Sequence, residues 1–338
     1  MRIERSINTV SWIPSDLMEG MGKMATRMKL AHHDPPPPDS LGTNTAAAIE
    51  ELRMADRFRF ANELRGYIDV GDEGRITDFG YCGGGVIGAT TIGHGVSAIT
   101  IPAIKLPDRQ ADPVATDWAV TFTQTVGGRT GAPMPRPVKH APFIQYRAPI
   151  VWTTLQLTIR ADSSHEGTMI GASGFPRHWL FDDTGSLVAK SSVAEYKQWM
   201  SDSFGRRTPW GDEDSPALMT HVESALERSL QDHIMRGDHK PDIRRVRQGR
   251  VLVEQGASSN EMYLLLNGVL VVEVDDAKIA ELGPGAVFGE RAVLEGSTRT
   301  ATLRAVTDCK VAAIAVDRMD LDKLAELAGS HRREGAHG

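Results

Sequence analysis

The residues best placed to do chemistry in this chain are Glu290, directly after Phe288-Gly289, and Arg299, at the head of the alternating run Thr300-Ala301-Thr302. Between them the sequence reads as a short apolar helix followed by a loop. An arginine offers a planar fork of donors that grips a phosphate bidentately. Residues from Gly289 onward start the short helix, and its free backbone N–H groups favour an anion. Gly289 has no side chain, so a ligand can approach the backbone closely. Glu290 beside a phosphate would repel it unless a donor stands between them, and a sugar hydroxyl is such a donor. This order of residue types suits a compact sugar carrying one phosphate charge.

Other candidate chemistry is weaker. Gly83-Gly84-Gly85-Val86-Ile87-Gly88 has dinucleotide-loop spacing, but Ala89 and the β-branched run Thr90-Thr91-Ile92 follow it. No crossover helix opens there, so a glycine-rich strand or bulge is expected. Gly127-Gly128-Arg129-Thr130-Gly131 lacks the Gly-Lys-Ser/Thr of a phosphate loop and reads as a hairpin. In Pro176-Arg177-His178-Trp179 with Asp182-Asp183, the acids before Gly185 read as a solvated turn rather than a catalytic pair. His32-His33, His94, His140 and His165 show no metal-ligand spacing, so no metal is expected. Arg57-Phe58-Arg59-Phe60 is expected to divide between a core side and a solvated side of a helix. Asp212-Glu213-Asp214 precedes a helix start, where negative charge is favoured. No catalytic residue is assigned.

These groups must be positioned by elements the sequence also announces. The stretch to about Gly42 is Met-rich, with Met18, Met21, Met24 and Met28 at helical spacing, and it contains the stiff spacer Pro35-Pro36-Pro37-Pro38. Helix-forming composition runs from Thr45 to Arg65, with Gly66 as a stop. From about Tyr67 to Lys190 the period becomes two: Trp118, Val120 and Phe122, then Val151, Leu155, Leu157 and Ile159, alternate with polar residues. Ser192-Val193-Ala194-Glu195 is a capping box opening a helix through Trp199, and Ser215-Pro216 opens a longer helix to about Met235. Past Gly237 the composition turns basic at Arg244, Arg245, Arg247 and Arg250. Short strands with glycine turns follow, at Gln255-Gly256, Asn267-Gly268 and Gly283-Pro284-Gly285.

The expected fold class is α+β, mostly β. It comprises an antiparallel β-rich domain, sandwich or barrel, with flanking helices, followed by a jelly-roll-like barrel. The expected divisions are an arm at 1–44, a β-rich domain at 45–205, a connecting helix at 206–236, the barrel at 237–328 and a disordered tail at 329–338. Composition bounds the rest. The 338 residues hold 41% hydrophobic and 24% charged residues, ordinary for a soluble protein. A net charge of -6 argues against a general nucleic-acid binder. Cys82 and Cys309 form no disulfide scaffold and suit a reducing cytoplasm. No apolar run is long enough to span a membrane, and Met1-Arg2-Ile3-Glu4-Arg5 lacks the apolar core of a signal peptide.

Taken together, the glycine turns, Phe288-Gly289-Glu290 and Arg299 resemble the phosphate-binding cassette of the cyclic nucleotide-binding domain family, over about residues 240–328. The resemblance implies cyclic AMP, or cyclic GMP, as ligand. Gly289 and Ala292 would offer backbone amides, Glu290 would hold the ribose 2′-hydroxyl and Arg299 the phosphate. Thr300 would add a bond to the phosphate or touch a guanine amino group, which leaves the base open. Phe288 and Val287 read as core, and Arg291 stands where the family commonly has an apolar residue. A helix over 317–328 would lie near the purine with Leu321, Leu324 and Leu327 and no aromatic partner. With no helix-turn-helix and no kinase motif evident, the expectation is a cytoplasmic sensor relaying ligand binding to its N-terminal domain. It would work through a protein partner or self-association, without direct DNA binding and without a membrane. The alternative is an enzyme whose β-rich domain is regulated by the nucleotide.

Overall fold

A computed structural model describes residues 1–14, 35–92, 99–131, 134–137, 141, 143–191, 241–258, 260–290 and 298–315, together with 194, 196, 199, 209–210, 219–221, 230 and 234–235. The chain divides into two compact units, residues 1–218 and 219–338. Both are built from antiparallel strands.

In the first unit the main elements are β1 (Arg2–Trp12), α1 (Thr45–Met54), β2 (Phe60–Val70), β3 (Ile76–Tyr81), β4 (Ala119–Arg129), β5 (Ile150–Arg160), β6 (His165–Ala172), β7 (Arg177–Phe181) and β8 (Leu187–Ser191). One sheet runs β8-β7-β1-β2-β3, and the other runs β6-β5-β4 with short strands along the far edge of β4. Two expectations are corrected here. Residues 2–12, placed in an arm, form the central strand of the first sheet, because Ile3, Ile7, Thr9 and Ser11 alternate toward its inner face. The helix expected to reach Arg65 ends at Met54, and strand β2 begins at Phe60. There Phe60, Asn62, Leu64, Ile68 and Val70 follow a period of two that outweighs the local helix propensity.

The sheets pack face to face. Val120, Phe122 and Val126 of β4 and Val151, Leu155, Leu157 and Ile159 of β5 are buried. Gly66 leaves room for the Phe122 ring, since a Cβ there would lie 2.9 Å from it. A polar seam crosses this core. Thr9 Oγ1 meets Thr153 Oγ1 at 3.1 Å, Asn62 Nδ2 donates to Thr153 O, and Gln124 Nε2 donates to Asn62 Oδ1 at 2.9 Å. Buried polar groups that find partners in this way fix register between layers. The other face of the first sheet is covered by α1, through Ile49 and Leu52 packed with Val10, Trp12 and Trp179.

The second unit contains β9 (Asp242–Val246), β10 (Val251–Val253), β11 (Glu261–Asn267), β12 (Leu270–Val274), β13 (Ala277–Leu282), β14 (Val287–Phe288), β15 (Thr302–Ala305) and β16 (Cys309–Ala315). Its two four-stranded sheets run β9-β16-β11-β14 and β10-β15-β12-β13. Tyr263, Leu265, Leu270, Phe288, Leu303 and Val311 fill the space between them. Leu230 and Ile234 pack with Leu264, Leu266, Ala312 and Ile314 in a separate cluster. The glycine turns take the positive φ their sequences require: Gly256 at 83°, Gly268 at 96° and Gly285 at 106°.

Candidate functional site

The short strand β14 delivers Phe288, Gly289 and Glu290 to one place, and the stretch before β15 delivers Arg299. Phe288 and Val287 are buried core residues, as their types suggest. The Arg299 backbone is pinned to the Gln255-Gly256 turn: its N–H donates to Ala257 O and its carbonyl accepts from Gly256 N, both at 2.8 Å. That turn is held in place by Gln255, whose amide exchanges two hydrogen bonds with Asp275.

Arg299 is 4% exposed. Its Nη1 donates to Gly289 O at 3.0 Å and its Nη2 to Glu261 O at 2.5 Å, while Nε has no hydrogen-bond partner. Among the described residues no carboxylate lies within ion-pair distance of it. A buried guanidinium whose hydrogen bonds go to two neutral carbonyls is costly in a low-dielectric setting, and an anion at the site would offset that cost. Gly289 sits at φ 97°, and a Cβ there would collide with Arg299 Nη1. The glycine is therefore needed for the arginine itself, as well as for any ligand. Glu290 is buried beside it, and Thr300 is exposed. Gly289, Glu290, Arg299 and Thr300 thus lie in the described part of the site. Ala292, Arg291 and the helix expected over 317–328 lie outside the described residues, as do most of the helices expected over 192–235.

Three residues that sequence reasoning left out hold Arg299 in position. Glu261 opens β11, and its carboxylate accepts two hydrogen bonds from Arg244, at 2.8 and 2.6 Å, and one from the Tyr263 hydroxyl at 2.9 Å. The Arg244 pair, followed by the Tyr263 hydroxyl, holds the Glu261 carboxyl below its ordinary pKa against the opposing effect of burial. The Tyr263 ring stacks on Phe288 at 5.5 Å and lies 5.6 Å from the Arg299 guanidinium carbon. A faint signal existed: a carboxylate heading an apolar strand, downstream of the basic run that begins at Arg244.

In the first unit the weaker candidates resolve structurally. Gly83 packs against the Glu63 carbonyl and Gly85–Ile87 pairs with β2, so the glycine-rich segment is strand, as expected. Phe58, Arg59 and Phe60 are all buried. The expected division of this segment between a core side and a solvated side of a helix is corrected, because it enters β2. Asp182 Oδ1 accepts from Thr184 and Ser186 in a turn. Among the described residues His178 has no carboxylate partner. It is fully buried, receives Ser11 Oγ at Nδ1 (2.7 Å) and approaches Ser173 O through Nε2 (2.8 Å). Burial lowers its pKa to about 4, so it is neutral. Among the described residues no group of three or more metal-ligating side chains occurs, and no helix is long and apolar enough to cross a membrane.

Residues 243–325 match the family model described as Cyclic nucleotide-binding domain. The chain is 29% identical over 118 residues to a cAMP-dependent protein kinase regulatory subunit from Eremothecium gossypii, a match covering 33% of this chain and 25% of that protein. It is 24% identical over 140 residues to the cGMP-dependent protein kinase egl-4 of Caenorhabditis briggsae, covering 37% of this chain and 18% of that one. The chain therefore spans a quarter or less of these relatives' lengths. A solved co-crystal structure of the regulatory domain of Toxoplasma gondii PKA with cAMP aligns with a TM-score of 0.24 and 21% identity, over 29% of this chain and 44% of that one. The family-model match lies wholly within the C-terminal unit.

Proposed function

We propose that this protein is a cyclic nucleotide receiver that takes cyclic AMP or cyclic GMP in its second unit. The observation that carries this reading is the buried Arg299, whose hydrogen bonds among the described residues go to two backbone carbonyls and whose Nε has no hydrogen-bond partner there. A cyclic phosphate would bring a single negative charge to it. In this reading Glu290 takes the ribose 2′-hydroxyl, the resemblance assigns the phosphate oxygens to the backbone amides of Gly289 and Ala292, and Thr300 serves the phosphate or the base. The two kinase-type relatives carry different nucleotide names, which is consistent with a base preference that the cassette alone does not set.

A relay has a physical starting point. Arg299 is bonded to the carbonyl of Glu261, the first residue of β11, and Leu264 and Leu266 of that strand pack against Leu230 and Ile234. A ligand that pulls on Arg299 therefore pulls on a strand that supports those two residues, and the N-terminal domain receives the signal if the ligand prefers one arrangement. Comparing cyclic AMP with its 2′-deoxy analogue in a thermal-shift titration tests the site roles. The native chain should prefer the ribo form by about tenfold or more, and Glu290→Gln should narrow that preference. Equal stabilisation by both nucleotides in the native chain would remove Glu290 from the ribose.

A further inference from the structure

On the face of the first sheet that lies under α1, buried polar atoms stand without partners. Asn8, Val10 and Trp12 alternate on β1, and Trp179 and Phe181 of β7 are the register partners of Val10 and Asn8. Asn8 is fully buried, and neither its Nδ2 nor its Oδ1 has a hydrogen-bond partner among the described residues. Its other register partner, Glu63, pairs instead with Arg65, 3.4 Å away. The Nε1 atoms of Trp12 and Trp179 are buried and unpartnered in the same way. Those two rings meet edge to face at 5.5 Å and 81°, so at most one N–H points into the other ring. A buried polar group without a partner disfavours the closed arrangement, because water would satisfy it.

The cover over this face is lightly fastened. Ile49 and Leu52 of α1 pack on Val10, Trp12, Trp179 and Phe181. The chain is anchored on both sides of the helix: Leu41 N–H donates to Gly185 O and Arg59 N–H to Ser11 O, both at 2.7 Å. Between these anchors, residues 43–55 make no hydrogen bond to any strand among the described residues; their bonds stay within the helix and its ends. Of the ten residues of α1 only Thr45, Ile49 and Leu52 are buried. A helix this short has little stability of its own.

Both ends of this segment carry a left-handed residue, Gly42 at φ 68° and Asp56 at φ 51°. Gly42 turns there without steric cost. Asp56 is held as a pivot by the buried Arg59, whose Nη2 donates to Asp56 Oδ1 at 3.0 Å. Single residues flanking a packed element are where a hinge absorbs its change of angle.

We propose that α1 is a lid on the first sheet, hinged at Gly42 and Asp56, which opens while the sandwich beneath it stays folded. Opening lets the Asn8 amide and the unpaired indole N–H bond to water, and it exposes the aromatic face of Trp12, Trp179 and Phe181. Loss of the Ile49 and Leu52 contacts opposes it, so the closed lid is the major state and the open lid a minor one. Hydrogen exchange of the full chain, read by mass spectrometry on peptides from α1, β4 and β5, tests this. Amides of α1 should exchange at least about a hundredfold faster than those of β4 and β5. Asn8→Leu removes the unpaired amide at similar volume and should slow α1 exchange about tenfold, with β4 and β5 unchanged. Ile49→Ala should speed α1 exchange at least about tenfold and leave β4 and β5 protected. Native α1 exchange as slow as that of β4 and β5 would overturn the proposal. Equal acceleration of all three elements in Ile49→Ala would do so too, by making α1 part of the sandwich core. Unchanged or faster α1 exchange in a folded Asn8→Leu chain would also overturn it, since the buried amide would then not weaken the closed lid.

Discussion

Arg299 owes part of its position to residues outside the proposed ligand set. The Glu261 carbonyl takes one of its donors, while Arg244 and the Tyr263 hydroxyl hold the Glu261 side chain from the other direction. Removing Arg244 strips a two-pronged ion pair from Glu261 and leaves that residue free to shift the carbonyl that Arg299 grips. Arg244→Ala is therefore expected to weaken nucleotide binding by about tenfold, read by calorimetry, while the protein stays folded. Unchanged affinity would reduce Arg244 to a surface ion pair. At this scale the sequence was legible where chemistry repeats a compact local pattern: Gly289, Glu290 and Arg299 stand close together in the chain. Arg244, Glu261 and Tyr263 were not, because only strand pairing between β9, β16 and β11 brings Arg244 to Glu261.

At the scale of elements, the strands of the first unit were readable wherever alternation was clean, as in β4 and β5. The start of β2 was not, since Ala61, Glu63, Leu64 and Arg65 are good helix formers and only packing against β1 and the second sheet makes them strand. β1 was missed because its inner face mixes Ile3 and Ile7 with Thr9 and Ser11, which read as polar until the seam supplies their partners. That seam has a measurable consequence. His178 is neutral in the folded chain, with a pKa near 4 against an ordinary 6.5. The unfolded chain therefore binds the proton first, and folding stability should fall as pH drops from about 6.5 toward about 4, by roughly 3 kcal/mol in all. Denaturant titrations across that range check it, and a His178→Gln variant should lose this component of the slope. A native stability that stays level through the window would mean that His178 is not buried neutral.

The whole molecule combines a sandwich with a polar seam and a second unit in which the buried Arg299 has no ion pair among the described residues. In the proposed reading the second unit supplies a ligand-dependent input. Everything downstream depends on that input being real. Calorimetric titration of the full chain with cyclic AMP and cyclic GMP, native against Arg299→Ala, tests it most directly. The native protein should release or absorb heat that saturates with at least one of the two nucleotides, and the variant should bind at least about thirtyfold more weakly. Absence of heat with both nucleotides in a folded native protein, or equal affinity in the variant, would contradict the account.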